Sequence, residues 1–154
     1  NTLIAAKLKG TKPGIERAKF LLDQVGLAQS HNVQTHQLSG GMRQRVALAR
    51  TLMEDAPLIL VDEPFSALDA VTRHHLQAMM SEMTKNRTVL MITHDPMEAL
   101  RLGDQIYVLG GTPPTLTEIP APAETPPRKL NGPTLKDRYD DILSLLGMTE
   151  ELPL

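Results

Sequence analysis

Residues 38–69 read LSGGMRQRVALARTLMEDAPLILVDEPFSALD, and this stretch decides how the rest of the chain is read. It opens with a Ser-Gly-Gly turn feeding a basic helix and breaks at Pro57. A short apolar run, Leu58 to Val61, then ends in adjacent carboxylates, Asp62 and Glu63, followed by Pro64. Ser39 is a good helix N-cap, and Gly40 and Gly41 allow close backbone approach. A helix start carries unpaired N–H groups and partial positive charge, which suits a phosphate; the plain alternative is an ordinary cap. The apolar run is too short for a helix and reads as a strand, so the carboxylates fall at its C-terminal end. Ligands gather at such ends in open α/β sheets. Along an extended backbone the two side chains alternate in direction and can serve separate tasks. One carboxylate suits a hydrated Mg²⁺, the other the orientation and deprotonation of a water.

The downstream motifs sharpen this. L-S-G-G-M at 38–42, L-I-L-V-D-E-P at 58–64, S-A-L-D at 66–69 and V-L-M-I-T-H-D at 89–95 follow in fixed order. In this order and spacing they resemble the ATP-binding cassette (ABC) ATPases. The resemblance covers roughly the first 110 residues. It implies an α/β, P-loop NTPase-like parallel sheet flanked by helices, incomplete at its N-terminus, with part of the helical subdomain. Leu38–Met42 corresponds to the signature, Leu58–Glu63 to Walker B, Ser66–Asp69 to the D-loop and His94 to the switch histidine.

The same resemblance implies roles. Two cassettes would sandwich ATP head to tail, with Ser39, Gly40, Gly41 and Met42 facing the γ-phosphate held by the opposite cassette. Asp62 would hold Mg²⁺ through water, Glu63 would be the general base, His94 would sense the γ-phosphate and Asp69 would couple the two sites. Met42 stands where the commonest signature has Gln. It has no hydrogen to donate, which leaves the phosphate contact to Ser39 and the backbone. The motif wording is most similar to the nitrate, sulfonate, taurine and thiamine-precursor importers, leaning to the pyrimidine or sulfonate type. That implies an ATP-hydrolysing importer subunit, peripheral on the cytoplasmic face of the inner membrane. Its implied partners are a second ABC ATPase subunit, transmembrane permease subunits and, indirectly, a substrate-binding protein. A non-catalytic half-site lending its signature to a partner, or a non-transport ABC ATPase, are the competing readings.

G-x-x-x-x-G-K-[S/T] occurs nowhere in the 154 residues; Gly10-Thr11-Lys12-Pro13-Gly14 fails the spacing and the ending. The phosphate-cradling loop, the Gln loop and the adenine-stacking aromatic are therefore expected before Asn1. The chain alone is expected to turn over little or no ATP and to leave apolar sheet surface uncovered.

Composition agrees. A net charge of −2 gives no polyanion signal, and four aromatics make no base-stacking platform, so nucleic acid is not an expected partner. The absence of cysteine excludes disulfides and thiolate metal sites. No apolar run approaches the ~20 residues of a membrane span, and no signal peptide is visible.

In chain order, residues 2–9 read as a helix end and 11–14 as a turn. Ile15 to Val25 reads as a helix whose apolar face includes Ile15, Ala18, Phe20, Leu21, Leu22 and Val25, stopped by Gly26. His31 and His36 are five apart, which misses helical spacing and argues against a metal pair. Arg43 and Arg45 oppose the helix dipole, which a phosphate or an acidic neighbour near them would explain; a solvated or salt-bridged pair is the plain alternative. Val71 to Thr84 reads as a helix with Leu76, Met79, Met80 and Met83 inward. Thr88 to Thr93 reads as a buried strand delivering His94. Asp95-Pro96-Met97-Glu98 starts a helix. Gln105 to Leu109 is a third strand, with Leu116 to Ile119 returning as a hairpin. On the resemblance, residues 1–112 are expected to form the partial ATPase domain (1–53 helical and signature, 54–112 Walker B to switch). Residues 113–133 read as a proline-rich linker and 134–154 as a C-terminal helix and tail.

Overall fold

A computed structural model describes residues 2–3, 14–129 and 133–147. The helix end expected over 2–9 and the turn at 11–14 lie almost wholly outside the described residues. The described chain divides into two compact units, one through Ile92 and one from Thr93.

The first unit begins with helix α1, Ile15–Gln24, and continues through two short 3₁₀ turns to α2, Gly40–Met53. Helix α1 buries Ala18 and Leu21 and is followed by buried Val25, whereas Ile15 and Phe20 are about half exposed. Its apolar stripe is therefore narrower than the sequence suggests, because only one edge of the helix meets α2. Strand β1, Leu58–Asp62, is joined by α3, Ala70–Met83, to the parallel strand β2, Thr88–Ile92. The register pairs Leu58 with Thr88 and Asp62 with Ile92. Parallel neighbours require such a crossover, and the helix supplies it. As expected, α3 turns Leu76, Met79 and Met80 into the core, whereas Met83 in its last turn is only partly buried. Leu52, Ile59 and Phe65 are buried in the same unit.

The sheet is covered on one face only. Ile59 is buried, but Leu58, Leu60, Leu90 and Ile92 are 51–65% exposed. These residues alternate along the two strands, so they share one face. The uncovered apolar sheet surface expected from the sequence is present among the described residues.

In the second unit, α4, Pro96–Leu102, precedes an antiparallel hairpin of β3, Ile106–Gly110, and β4, Thr115–Ile119. The tail helix α5, Pro133–Leu145, completes it. Its core joins Leu100 with Ile106, Val108, Ile119, Leu135 and Ile142, with Tyr139 packed alongside. The hairpin forms its own two-stranded sheet. Strand β4 and the buried Arg128 both fall within 113–133, so this proline-dense stretch carries regular structure and core contacts as well as connection.

Candidate functional site

Ser39 caps α2 as its sequence position demands, its Oγ accepting a hydrogen bond from the Met42 N–H at 3.2 Å. The residue is exposed, and a Cβ added at Gly40 would meet nothing within 4 Å. At Gly41 a Cβ would stand 3.0 Å from the Ala67 carbonyl oxygen, so the missing side chain lets the helix start lie against the loop after β1. The signature turn thus has an open polar side at Ser39 and Gly40 and a packed side at Gly41. An anion fits the open side, where backbone N–H groups and the helix dipole favour negative charge.

Asp62 ends β1 with its side chain exposed. The reading of two carboxylates on one extended backbone requires correction at Glu63, which adopts φ 47°. Left-handed backbone is uncommon for a residue with a side chain and marks a locally strained position. The cause is a turn that leaves the strand here. The Glu63 N–H still donates to the Ile92 carbonyl at 2.9 Å, continuing the ladder. Its own carbonyl leaves the ladder and accepts from Gln44 Nε2 at 2.6 Å and Ser66 Oγ at 3.2 Å. Phe65, fully buried, anchors the turn. The two carboxylates are thus separated by a backbone reversal rather than by strand alternation.

The two arginines find partners within the chain. Arg43 Nη1 donates to the Leu38 carbonyl at 3.0 Å, and Arg45 Nη1 to the Val25 and Gly26 carbonyls at 3.1 and 3.3 Å. Backbone oxygens take these contacts within the chain. For Arg45 the oxygens lie at the C-terminal end of α1, where a cation is favourable.

Asp69 caps α3 through Oδ1, which accepts from the Val71 and Thr72 N–H groups at 3.1 and 3.0 Å. Hydrogen bonds from the Thr72 backbone and side chain hold its pKa below the ordinary 3.8. A depressed folded-state pKa means that the cap's stabilisation is complete above pH 3.8 and is lost as pH falls through the lowered value. Asp69→Asn keeps a capping oxygen without a titrating group. It is expected to flatten that part of the acid unfolding limb, followed by far-ultraviolet circular dichroism. An unchanged limb would mean Asp69 does not contribute.

His94 belongs to the second unit and is exposed. Its loop is built by Thr93, whose hydroxyl donates to Glu98 Oε2 at 2.8 Å and accepts from the Asp95 N–H at 3.1 Å. Asp95 caps α4, its Oδ1 accepting from the Met97 N–H at 2.9 Å. Glu98 is buried, and its carboxylate serves the loop that carries His94.

Two residues escape a motif reading. Gln44 bridges α2 to the loop after β1, and a polar residue inside a helix pattern gives no hint of that. Arg128 is 4% exposed. Its Nε donates to the Glu124 carbonyl at 2.6 Å, and its Nη1 to the carbonyls of Leu100 and Gly103 at 2.9 and 2.7 Å. Among the described residues, no helix is long and apolar enough to cross a membrane.

Residues 9–66 match the family described as ABC transporter. The chain is 45% identical over 152 residues to an ABC transporter ATP-binding protein of Haemophilus influenzae, covering 96% of this chain and 63% of that protein. It is 42% identical over 129 residues to the aliphatic sulfonates import ATP-binding protein SsuB 2 of Pseudomonas syringae, covering 82% of this chain and 52% of that protein. It is 50% identical over 94 residues to the taurine import ATP-binding protein TauB of Pelagibacter ubique, covering 60% and 36%. A solved metal-chelate type ABC transporter in an inward-facing conformation superposes with a TM-score of 0.60 at 26% identity, covering 76% of this chain and 50% of that one. The chain spans less than two thirds of the length of these relatives. The matches place the chain among the ABC transporter ATP-binding proteins, related to those of the sulfonate and taurine import branch.

Proposed function

We infer that the chain contributes the signature, general base and switch elements of the ATP-hydrolysing subunit of an ABC importer. The observation that carries this is the open, Ser39-capped start of α2 tied to the turn holding Glu63. Similarity to sulfonate and taurine import proteins supports solute uptake of that class. On this reading the subunit works peripherally at the cytoplasmic face of the inner membrane. There it pairs head to tail with a second cassette, docks on permease subunits and is served by a substrate-binding protein.

The residues present fit nucleotide and metal. Ser39, Gly40 and the N–H groups at the start of α2 would bind the γ-phosphate of ATP held by the opposing cassette, with Met42 lining the same turn. The exposed Asp62 carboxylate would hold Mg²⁺ through water. Bound Mg²⁺ supplies neutralisation of phosphate charge. Glu63 accepts the proton of the attacking water, held by its turn at the end of β1. Asp69, by capping α3, fixes the far end of the D-loop through which the two cassettes communicate. His94 would sense or stabilise the γ-phosphate through its imidazole.

Ser39→Arg tests the phosphate contact in the full gene product. A long cation at the helix start is expected to block ATP-driven dimerisation, read by size-exclusion chromatography with light scattering. Dimerisation equal to the unsubstituted protein would refute the contact.

A further inference from the structure

Gln44 lies in the second turn of α2, half-buried, and its carboxamide makes three hydrogen bonds to the loop after β1. Oε1 accepts from the Ala67 N–H at 2.9 Å. A backbone N–H can only donate, so this contact fixes the amide orientation and turns Nε2 to the other side. Nε2 donates to the Glu63 carbonyl at 2.6 Å and to Ser66 Oγ at 3.1 Å. Ser66 Oγ itself donates to the same Glu63 carbonyl at 3.2 Å. Both side chains therefore converge on the carbonyl of a residue whose φ is 47°.

We propose that Gln44 is a positioning residue for Glu63: its carboxamide holds the left-handed turn that aims the base, and it ties that turn to the helix whose start carries Ser39. The proposal rests on Glu63 being the general base. A backbone in this region persists only where its surroundings over-determine it. The determinants are the Ile92 carbonyl, which accepts from the Glu63 N–H, and the Gln44–Ser66 pair, which donates to the Glu63 carbonyl. Removing the carboxamide frees the carbonyl side of the turn and lets the carboxylate drift from its water. A shift of about 1 Å at a reacting group costs up to ~100-fold in rate. Substrate binding does not depend on that aim. Because the link runs through α2, displacement of the Ser39 end on engaging a nucleotide also bears on the base of the same cassette.

The test compares steady-state ATP hydrolysis by the full gene product, reconstituted with its transport partners, for Gln44→Ala, Gln44→Glu and Glu63→Gln. Gln44→Glu keeps an oxygen for the Ala67 N–H but sets a second oxygen against the Glu63 carbonyl. Both Gln44 variants are expected to lower kcat about tenfold or more, with KM for ATP within about twofold. In a Glu63→Gln background, Gln44→Ala should cost no further rate, since the group it positions is gone. A further loss of the same size there would show that Gln44 acts elsewhere and overturn the proposal. If Gln44→Ala folds poorly by thermal melting, Ser66→Ala removes the other side-chain donor to the carbonyl and is read instead. A kcat loss with unchanged KM then supports the proposal, and an unchanged kcat overturns it. Glu63→Gln separates the two failures. Turnover that survives it removes the base itself and the proposal with it. Turnover lost there but unchanged in the Gln44 variants overturns the positioning role alone.

Discussion

Glu63→Gln in the full gene product is expected to cut ATP hydrolysis by about 10²–10⁴-fold while leaving ATP binding within about twofold. The amide keeps the size and polarity of the carboxylate but cannot take a proton. The backbone contacts that hold the turn, from the Glu63 N–H to Ile92 and from Gln44 and Ser66 to the Glu63 carbonyl, involve no atom that the substitution changes. Folding should therefore be preserved, and the loss should appear in kcat and not in KM. Single-turnover hydrolysis beside calorimetric ATP binding makes the comparison. Retained turnover would remove Glu63 as the base, and lost binding would make it a ligand of the nucleotide instead. Asp62 offers the contrast. It lies one residue earlier, in regular strand geometry and exposed, where a carboxylate suits a hydrated cation better than an aimed proton transfer.

Arg128→Ala is expected to destabilise the second unit by about 2–3 kcal/mol, the scale of charged hydrogen bonds lost and buried carbonyls left unpaired. Three carbonyls, from Glu124, Leu100 and Gly103, would lose their guanidinium donor together. The Arg128 N–H also reaches the Arg101 carbonyl at 2.9 Å, so the side chain and backbone jointly close the end of α4. Arg128→Lys is expected to recover only part of the loss, because an ammonium cannot reproduce the planar fork. Both tyrosines, Tyr107 and Tyr139, lie in this unit, and the chain has no tryptophan. Urea unfolding followed by tyrosine fluorescence therefore reports on this unit. A midpoint unmoved by Arg128→Ala would show that water replaces the guanidinium without cost.

The motif reading and the structure meet where the determinants are local. Ser39 and Asp95 cap the helices that the sequence starts there, and Asp69, read from the sequence only as part of the D-loop, caps a third. The apolar run at 58–61 became a strand, and Gly103 follows α4 as its C-cap. The run read as a buried strand over 88–93 became β2 over Thr88–Ile92, but none of its residues is buried, because one face of the sheet is uncovered. A cap needs a side-chain oxygen two or three residues from the N–H it accepts from, and a strand needs only a short apolar run between turns. Both are written within a few adjacent positions.

The sequence by itself determined the order of motifs, the family resemblance that the comparisons bear out, and most element positions. Only the tertiary structure decided which partners the polar side chains take. Arg43 and Arg45, whose partners the sequence leaves open, donate to the carbonyls of Leu38, Val25 and Gly26. Glu63 could have stayed extended, and a glutamine 19 positions earlier donates to the carbonyl of its turn instead. Arg128, in a stretch that reads as linker, fills a site whose carbonyls lie 25 and 28 positions before it. The physical reason is the same in each case. A carbonyl that packing takes wholly or partly out of water must find a donor, and any donor brought near by packing will serve. The choice depends on which elements lie side by side, and no spacing along the chain encodes it.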